Sequence, residues 1–344
     1  MESFASHAAE AAPQFGGNLF KDPQSVQLCG VPVVLALSRP LHNPPARRTQ
    51  SMSPKQSVFL RRLSSTLVLW TAALWTIFSG YEPGFVVLVT GLGLLALWEF
   101  YSMLEVGKLP AFKMIGMFSG ALLSLGSFYW FSKVGPAQSY DFEVATLLFF
   151  LLVVFARQMF EQMRDKSPLE TMAYTVFGLF YVPWLFSFVT KIVYLLPRDA
   201  QGDVTGHFFV LYLIVVTKFS DMGAYLTGSL IGRHPMVPHI SPKKTWEGFG
   251  GALAFSIAGS YALRLLLPEQ LGALSMLDAG VLGAGLGFAA IIGDLGESLV
   301  KRSTGVKDSG KMLPGIGGAL DLIDSLLFTA PLLFFYLRFV VGVK

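Results

Sequence analysis

Cysteine is all but missing: Cys29 alone among 344 residues excludes an internal disulfide framework and any cysteine-based zinc cluster. Charge is scarce too. Asp, Glu, Lys and Arg make up 14% of the chain, against about 25% in soluble domains, so a large soluble core is excluded. No basic face interleaved with aromatics points to nucleic acid. No histidine cluster competes for a soft metal, and His234 and His239 stand across prolines with no carboxylate or cysteine at ligand spacing. What remains is 53% hydrophobic, with 30 Phe, 35 Gly and a mean hydropathy of +0.56. That is the composition of an all-α polytopic membrane protein, with the bilayer as its main solvent.

Residues 1–60 differ from the rest, being rich in Ala, Pro, Gln, Asn and Arg. Their one apolar run, CGVPVVLAL at 29–37, is too short to span a bilayer and is broken by Pro32. The segment reads as a disordered extension or as sequence upstream of a start at Met52, ahead of a transmembrane domain over 61–344. Nine apolar segments follow, near 63–80, 83–104, 111–132, 142–159, 170–196, 207–229, 248–267, 275–298 and 319–342. Each is about the 20 residues that a membrane helix needs, or close to it.

Charge orients them. With the N-terminus inside, the inner loops and flanks hold 17 Lys and Arg residues and the outer ones 6, so the positive-inside rule predicts a cytoplasmic N-terminus and an external C-terminus. Both long polar loops, 229–247 and 299–318, then face the cytoplasm. No internal repeat is visible.

Acids inside apolar spans cost roughly 2.5–3.5 kcal/mol each on insertion scales, and so are functional or paired by default. Lys218 and Asp221, Asp294 and Glu297, and Asp321 and Asp324 are each three residues apart, which on a helix puts each pair on one face. Three helices could thus turn carboxylates into one cavity at the cytoplasmic end, where oxygen ligands suit a hard cation such as magnesium. The competing reading for Asp221 is an ion pair with Lys218 in its own helix; Asp294, Asp321 and Asp324 have no basic residue nearby within their own spans, since Arg338 sits at the far end of the last one. Glu99 has no evident role, and Lys191 is expected to snorkel outward. Gly283, Gly287 and the Phe149, Phe150 and Phe155 group are expected to serve helix packing.

Between the acids lies KRSTGVKDSGKMLPGIGG, whose basic residues and glycine turns can neutralise polyphosphate oxygens and present backbone N–H groups to them. A plain basic connector would look similar when taken alone. The loop GRHPMVPHISPKKTWEGFGG at 232–251 repeats the theme, with donors at Ser241, Lys243, Lys244 and Thr245, and Trp246 as an interfacial anchor.

Ser298, Lys301, Arg302, Lys307, Asp308, Pro314, Gly317, Gly318, Asp321 and Asp324 resemble, in order and spacing, the 27-residue signature of phosphatidate cytidylyltransferases, the CDP-diacylglycerol synthases. DMGAYLTG at 221–228 and SPKKTWEG at 241–248 are similar to the same family. Two positions depart from it: Ile316 stands where the family usually has His, and Leu322 where it usually has Arg. The resemblance implies an integral enzyme, by default of a bacterial inner membrane, that makes CDP-diacylglycerol and pyrophosphate from CTP and phosphatidic acid. It also implies magnesium, a second monovalent cation such as potassium, and a homodimer. It makes Asp294 and Asp321 the first metal ligands, with Asp324 and Asp221 next, and adds Asp308 and Ser298 to the site. Lys301, Arg302 and Lys307, with Lys243, Lys244 and Ser241, are expected to hold the polyphosphate along the glycine backbone at 317 and 318. The rival readings are a CTP-dependent lipid kinase, for which no clear hydroxyl-activating base is visible, and an ion-coupled transporter using intramembrane carboxylates.

Overall fold

The computed structural model describes residues 67–343 apart from 69, 77, 80, 135, 162–166, 197–204 and 311–316. The expected extension over 1–60, the Met52 start, and Lys311, Pro314 and Ile316 therefore lie outside the described residues. Eight helices among the described residues are long and apolar enough to cross a membrane. They are α1 (Glu82–Val106), α2 (Lys113–Lys133), α3 (Pro136–Met159), α4 (Pro168–Leu195), α5 (His207–Ile231), α6 (Trp246–Leu266), α7 (Met276–Ser303) and α8 (Ala319–Val341). These correspond to the last eight of the nine expected spans. The first, 63–80, is only partly within the described residues, which are helical at 70–76.

The all-α membrane architecture follows from what the helices leave exposed. Val87, Phe118, Leu148, Leu152, Leu230 and Leu266 all point away from the bundle, a belt that only lipid or another apolar surface would tolerate. Inside, α8 is the central helix and packs against α7, α4, α1 and α5, while α5, α6 and α7 pack against one another. Pro183 sits in a π-turn over Phe180–Trp184 within α4, a local widening that accommodates its missing N–H.

The small residues at 283 and 287 do serve packing. A Cβ at Gly283 would meet the Ile257 backbone, and one at Gly287 the Ser256 hydroxyl, so α6 and α7 approach closely there. The aromatic group divides instead. Phe150 is buried with Val154 and Leu179, but Phe149 and Phe155 are exposed, because adjacent helical residues lie on different faces.

Lys191 does not snorkel. It is 1% exposed, with Nζ 2.6 Å from Glu143 Oε2 and 3.9 Å from the Phe188 ring centroid. The Ser127 hydroxyl donates to Glu143 Oε1. The partner carboxylate comes from α3, and a buried cation so matched has no need to reach for solvent.

One small sheet interrupts the helices. Strand β1 (Pro235–Val237) pairs antiparallel with β2 (Ser241–Thr245), Pro235 opposite Thr245 and Val237 opposite Ser241. Glu247 pins this hairpin from the first turn of α6: Oε2 accepts from the backbone N–H groups of Arg233 and His234, and Oε1 lies 2.6 Å from His234 Nδ1. The Thr245 hydroxyl caps α6 by accepting from the Gly248 N–H.

Candidate active site

Helices α7 and α8 meet at their loop ends because α7 has a defined stop. Gly305, at φ 72°, donates to Arg302 O while Val306 donates to Lys301 O, the paired bonds of a glycine-terminated helix end. That releases the chain after Lys301 and Arg302, and α8 starts at Ala319 with the Gly318 N–H held by Asp321 Oδ2 at 2.8 Å. The dipole of α8 thus begins on a carboxylate. Gly317, at φ 126°, has a backbone that other residues adopt at a cost.

Alongside, α7 and α8 touch backbone to backbone. A Cβ at Gly293 would lie 2.6 Å from Asp324 O and 2.9 Å from Ser325 Cα, so only glycine lets Asp294 come against Asp324. We expect Gly293→Ala to cost roughly 1–3 kcal/mol of stability by overpacking and to spread the acids apart. A fall in melting temperature together with lower turnover is the expected result; unchanged values for both would show that the helices separate freely.

The four carboxylates expected as metal ligands, Asp221, Asp294, Asp321 and Asp324, all line one cavity of about 380 Å³, with Lys218, Lys244 and Tyr225 in its wall. The tightest group of acids overlaps this lining but includes Glu297, which does not border the cavity. Ligand oxygens of Asp294, Glu297 and Asp324 lie within 4.8 Å of one another. Asp321 engages Lys301 Nζ at 2.9 Å besides the Gly318 N–H, and Asp221 engages Lys218 Nζ at 3.0 Å. Asp324 is 7% exposed, and its Oδ1 accepts from both the N–H and the hydroxyl of Ser325. Glu297 Oε2 takes Lys301 Nζ at 2.6 Å, whereas buried Oε1 finds no hydrogen-bond donor among the described residues. A buried carboxylate oxygen without a donor, beside two further carboxylates, fits a hard divalent cation.

The basic residues divide into two groups. Lys244 turns inward and places Nζ 2.6 Å from Asp294 Oδ2, while Lys243, its neighbour on the strand, is exposed, as alternation along β2 requires. Lys301 bridges α7 and α8 through Glu297 and Asp321. Arg302 reaches the other way, Nε donating to Ile240 O at 3.3 Å, and latches the hairpin to the end of α7. Ser241 and Ser298 are half-buried, and Lys307 and Asp308 are exposed beyond the turn.

Glu99 of α1, left without a role by sequence, is part of this structure. It is 2% exposed, and its Oε2 accepts from the Leu320 N–H at 2.9 Å and the Ser309 hydroxyl at 3.5 Å. It therefore ties the middle of the signature loop, at Ser309, to the start of α8. An acid in the second expected span, far along the chain from any motif, gave no local pattern that could have revealed this.

These positions coincide with a known family. Its profile, described as the Cytidylyltransferase family, matches residues 60–340. The chain is 43% identical over 166 residues to an uncharacterized protein, YnbB, of Escherichia coli strain K12, covering 48% of this chain and 51% of that protein. It is 41% identical over 168 residues to a phosphatidate cytidylyltransferase of Mycobacterium leprae, covering 49% and 48%. It thus spans about half the length of these two relatives. The alignment with the phosphatidate cytidylyltransferase of Haemophilus influenzae is longer, 28% identical over 296 residues, with 82% of this chain and 99% of that protein covered. With the profile running from before the first helix to the end of α8 and across every acid of the cavity, the chain belongs to the cytidylyltransferase family.

Proposed function

We propose that this membrane protein transfers CMP from CTP to phosphatidic acid, releasing pyrophosphate and forming CDP-diacylglycerol for phospholipid biosynthesis. The observation that carries the reading is the gathering of Asp294, Glu297 and Asp324 oxygens within 4.8 Å of one another, paired with Lys244 and Lys301, beside a cavity that Asp294, Asp324 and Lys244 line. The relatives named as phosphatidate cytidylyltransferases support the choice of substrates.

In the reaction, a phosphate oxygen of the lipid attacks the α-phosphorus of CTP, and the bond from that phosphorus to the bridging oxygen of the pyrophosphate breaks. The attacking monoester carries a charge of about −1.5 to −2 at pH 7 and needs no strong general base. Asp294, Glu297 and Asp324, with Asp321 and Asp221 in the adjoining cavity wall, are the residues to hold magnesium. Magnesium so held supplies charge neutralisation for the oxygens of the transferring phosphoryl group. Lys244 and Lys301 place ammonium groups where the polyphosphate enters, and Lys243, Lys307 and Arg302 ring the cytoplasmic mouth. Positioning and fixed charge carry the catalysis.

Nine spans, drawn from hydropathy, complete the proposal with an inside N-terminus, an outside C-terminus and a site opening to the cytoplasm, which rest on the charge bias of the loops; the bacterial inner membrane is the default setting for such a family member. Potassium and a homodimer rest on the family resemblance alone. Potassium dependence of the rate, and the mass of the detergent complex by light scattering, test those two.

The test is CTP labelled at the α-phosphate, supplied to sealed right-side-out vesicles and to purified protein with phosphatidic acid and magnesium. Label should enter the organic phase with matching pyrophosphate, and in vesicles only after permeabilisation. Lipid label from γ-labelled CTP instead would establish a lipid kinase. Ion uptake without nucleotide turnover would establish a transporter.

A further inference from the structure

A second cavity lies against the first. It has a volume of about 120 Å³ and an almost wholly apolar wall that includes Trp70, Phe85, Val89, Phe186, Leu322 and Leu326. Lys218 also lines it, and no other described residue borders both this cavity and the acid-lined one. The Lys218 side chain is 34% exposed and Nζ sits 3.0 Å from Asp221 Oδ2, so the cation stands at the junction with room on one side. Leu322, next to Asp321 in α8, presents an apolar side chain to this wall at the position where the family signature usually carries arginine.

An ammonium group within a membrane span is costly. An ion pair with Asp221 explains that it is tolerated, but not that it stands between an apolar chamber and a cavity for phosphates. A ligand complementary to this junction has one anionic group and an apolar tail leading directly from it. We propose that Lys218 binds the phosphate of phosphatidate, with the first part of an acyl chain seated in the apolar cavity. The inference takes the identity of the lipid from the proposed reaction, but the binding site stands on the two cavities and the residue they share.

The assignment differs from a plain ion pair in what it predicts for lipid binding. Charge-assisted hydrogen bonds to a phosphate are worth roughly 1.5–3 kcal/mol, about tenfold or more in affinity. The probes are radiolabelled dioleoyl phosphatidate and dioleoylglycerol, bound to the full chain in mixed detergent micelles with no nucleotide present. Lys218→Met should weaken phosphatidate at least about tenfold and leave dioleoylglycerol unchanged, whereas Lys218→Arg should keep most of the phosphatidate affinity. In turnover, Lys218→Met should raise KM for phosphatidate and leave KM for CTP near its original value. Unchanged phosphatidate affinity in Lys218→Met, or equal weakening of both lipids, would overturn the proposal and leave Lys218 as the partner of Asp221. Selective binding through Lys218 without cytidylyl transfer would uphold this site and refute the proposed reaction, so the two failures are distinct.

Discussion

Asp324→Asn is expected to lower the rate of cytidylyl transfer by about a thousandfold or more, roughly 4 kcal/mol of transition-state stabilisation, while leaving the protein folded. Asparagine keeps the carbonyl-type oxygen that the Ser325 N–H and hydroxyl require, so the helix should be undisturbed. It removes a negative charge from a site where Asp294 and Glu297 oxygens lie within 4.8 Å. Without a cation, three close carboxylates repel one another in a poorly solvated space. The variant should therefore melt at a higher temperature than the unmodified chain in chelator, by a few degrees for a gain of the order of 1 kcal/mol. It should also lose most of the stabilisation that magnesium gives the unmodified chain. Thermal melting with and without magnesium, beside the α-label assay, reads both effects. Near-normal turnover would remove Asp324 from the ligand set. A lower melting temperature in chelator would mean that its role is only to hold α8. The same measurements on Asp321→Asn separate the acids, because Asp321 is spent on Lys301 and the Gly318 N–H. Its loss should lower stability as well as rate.

The helical bundle was legible because its signal is local. Runs of apolar residues at membrane length need no knowledge of neighbours, and all eight described spans fall where hydropathy placed them. The acid cavity was legible in its parts: spacing of three put Asp294 and Glu297, and Asp321 and Asp324, on single faces. Which acids come closest was not, because that depends on the contact of Gly293 with the Asp324 backbone and on Lys301 drawing Asp321 aside. The hairpin at 235–245 was hidden for a similar reason. Pro235, Pro238 and Pro242 read as irregular loop, and the strands are held by Glu247 of α6 and Arg302 of α7. Lys191 was misread for want of Glu143, a partner 48 residues away. Apart from the exposed Phe149 and Phe155, these misses concern polar groups whose partners lie on other helices.

Glu99 is the clearest of these, and its removal is expected to have the second largest effect. Ser309 lies within the signature loop and Leu320 in the first turn of α8, and the one carboxylate holds both. The loop is built tightly around it: a Cβ at Gly310 would meet Glu99 Oε1, and one at Gly318 would meet Glu99 Oε2 and the Ser309 hydroxyl. Glu99→Ala leaves the Leu320 N–H buried without its acceptor, at about 1–3 kcal/mol, and opens a void where the loop was anchored. The start of α8 carries Asp321 and Asp324 one and two turns in, so a shift of about 1 Å there would misplace both acids and could cost on the order of a hundredfold in rate. We expect Glu99→Ala to lower both kcat and the melting temperature, and Glu99→Gln, which keeps an acceptor for Leu320, to recover much of each. Gly318→Ala should reproduce the loss of rate with the carboxylate still present. An indirect role also predicts that magnesium still binds to Glu99→Ala, though more weakly, whereas Asp324→Asn loses it. If Glu99→Ala retains full turnover and stability, α8 holds its own start through Asp321 and the Gly318 N–H alone, and the acid on α1 is not required by the site.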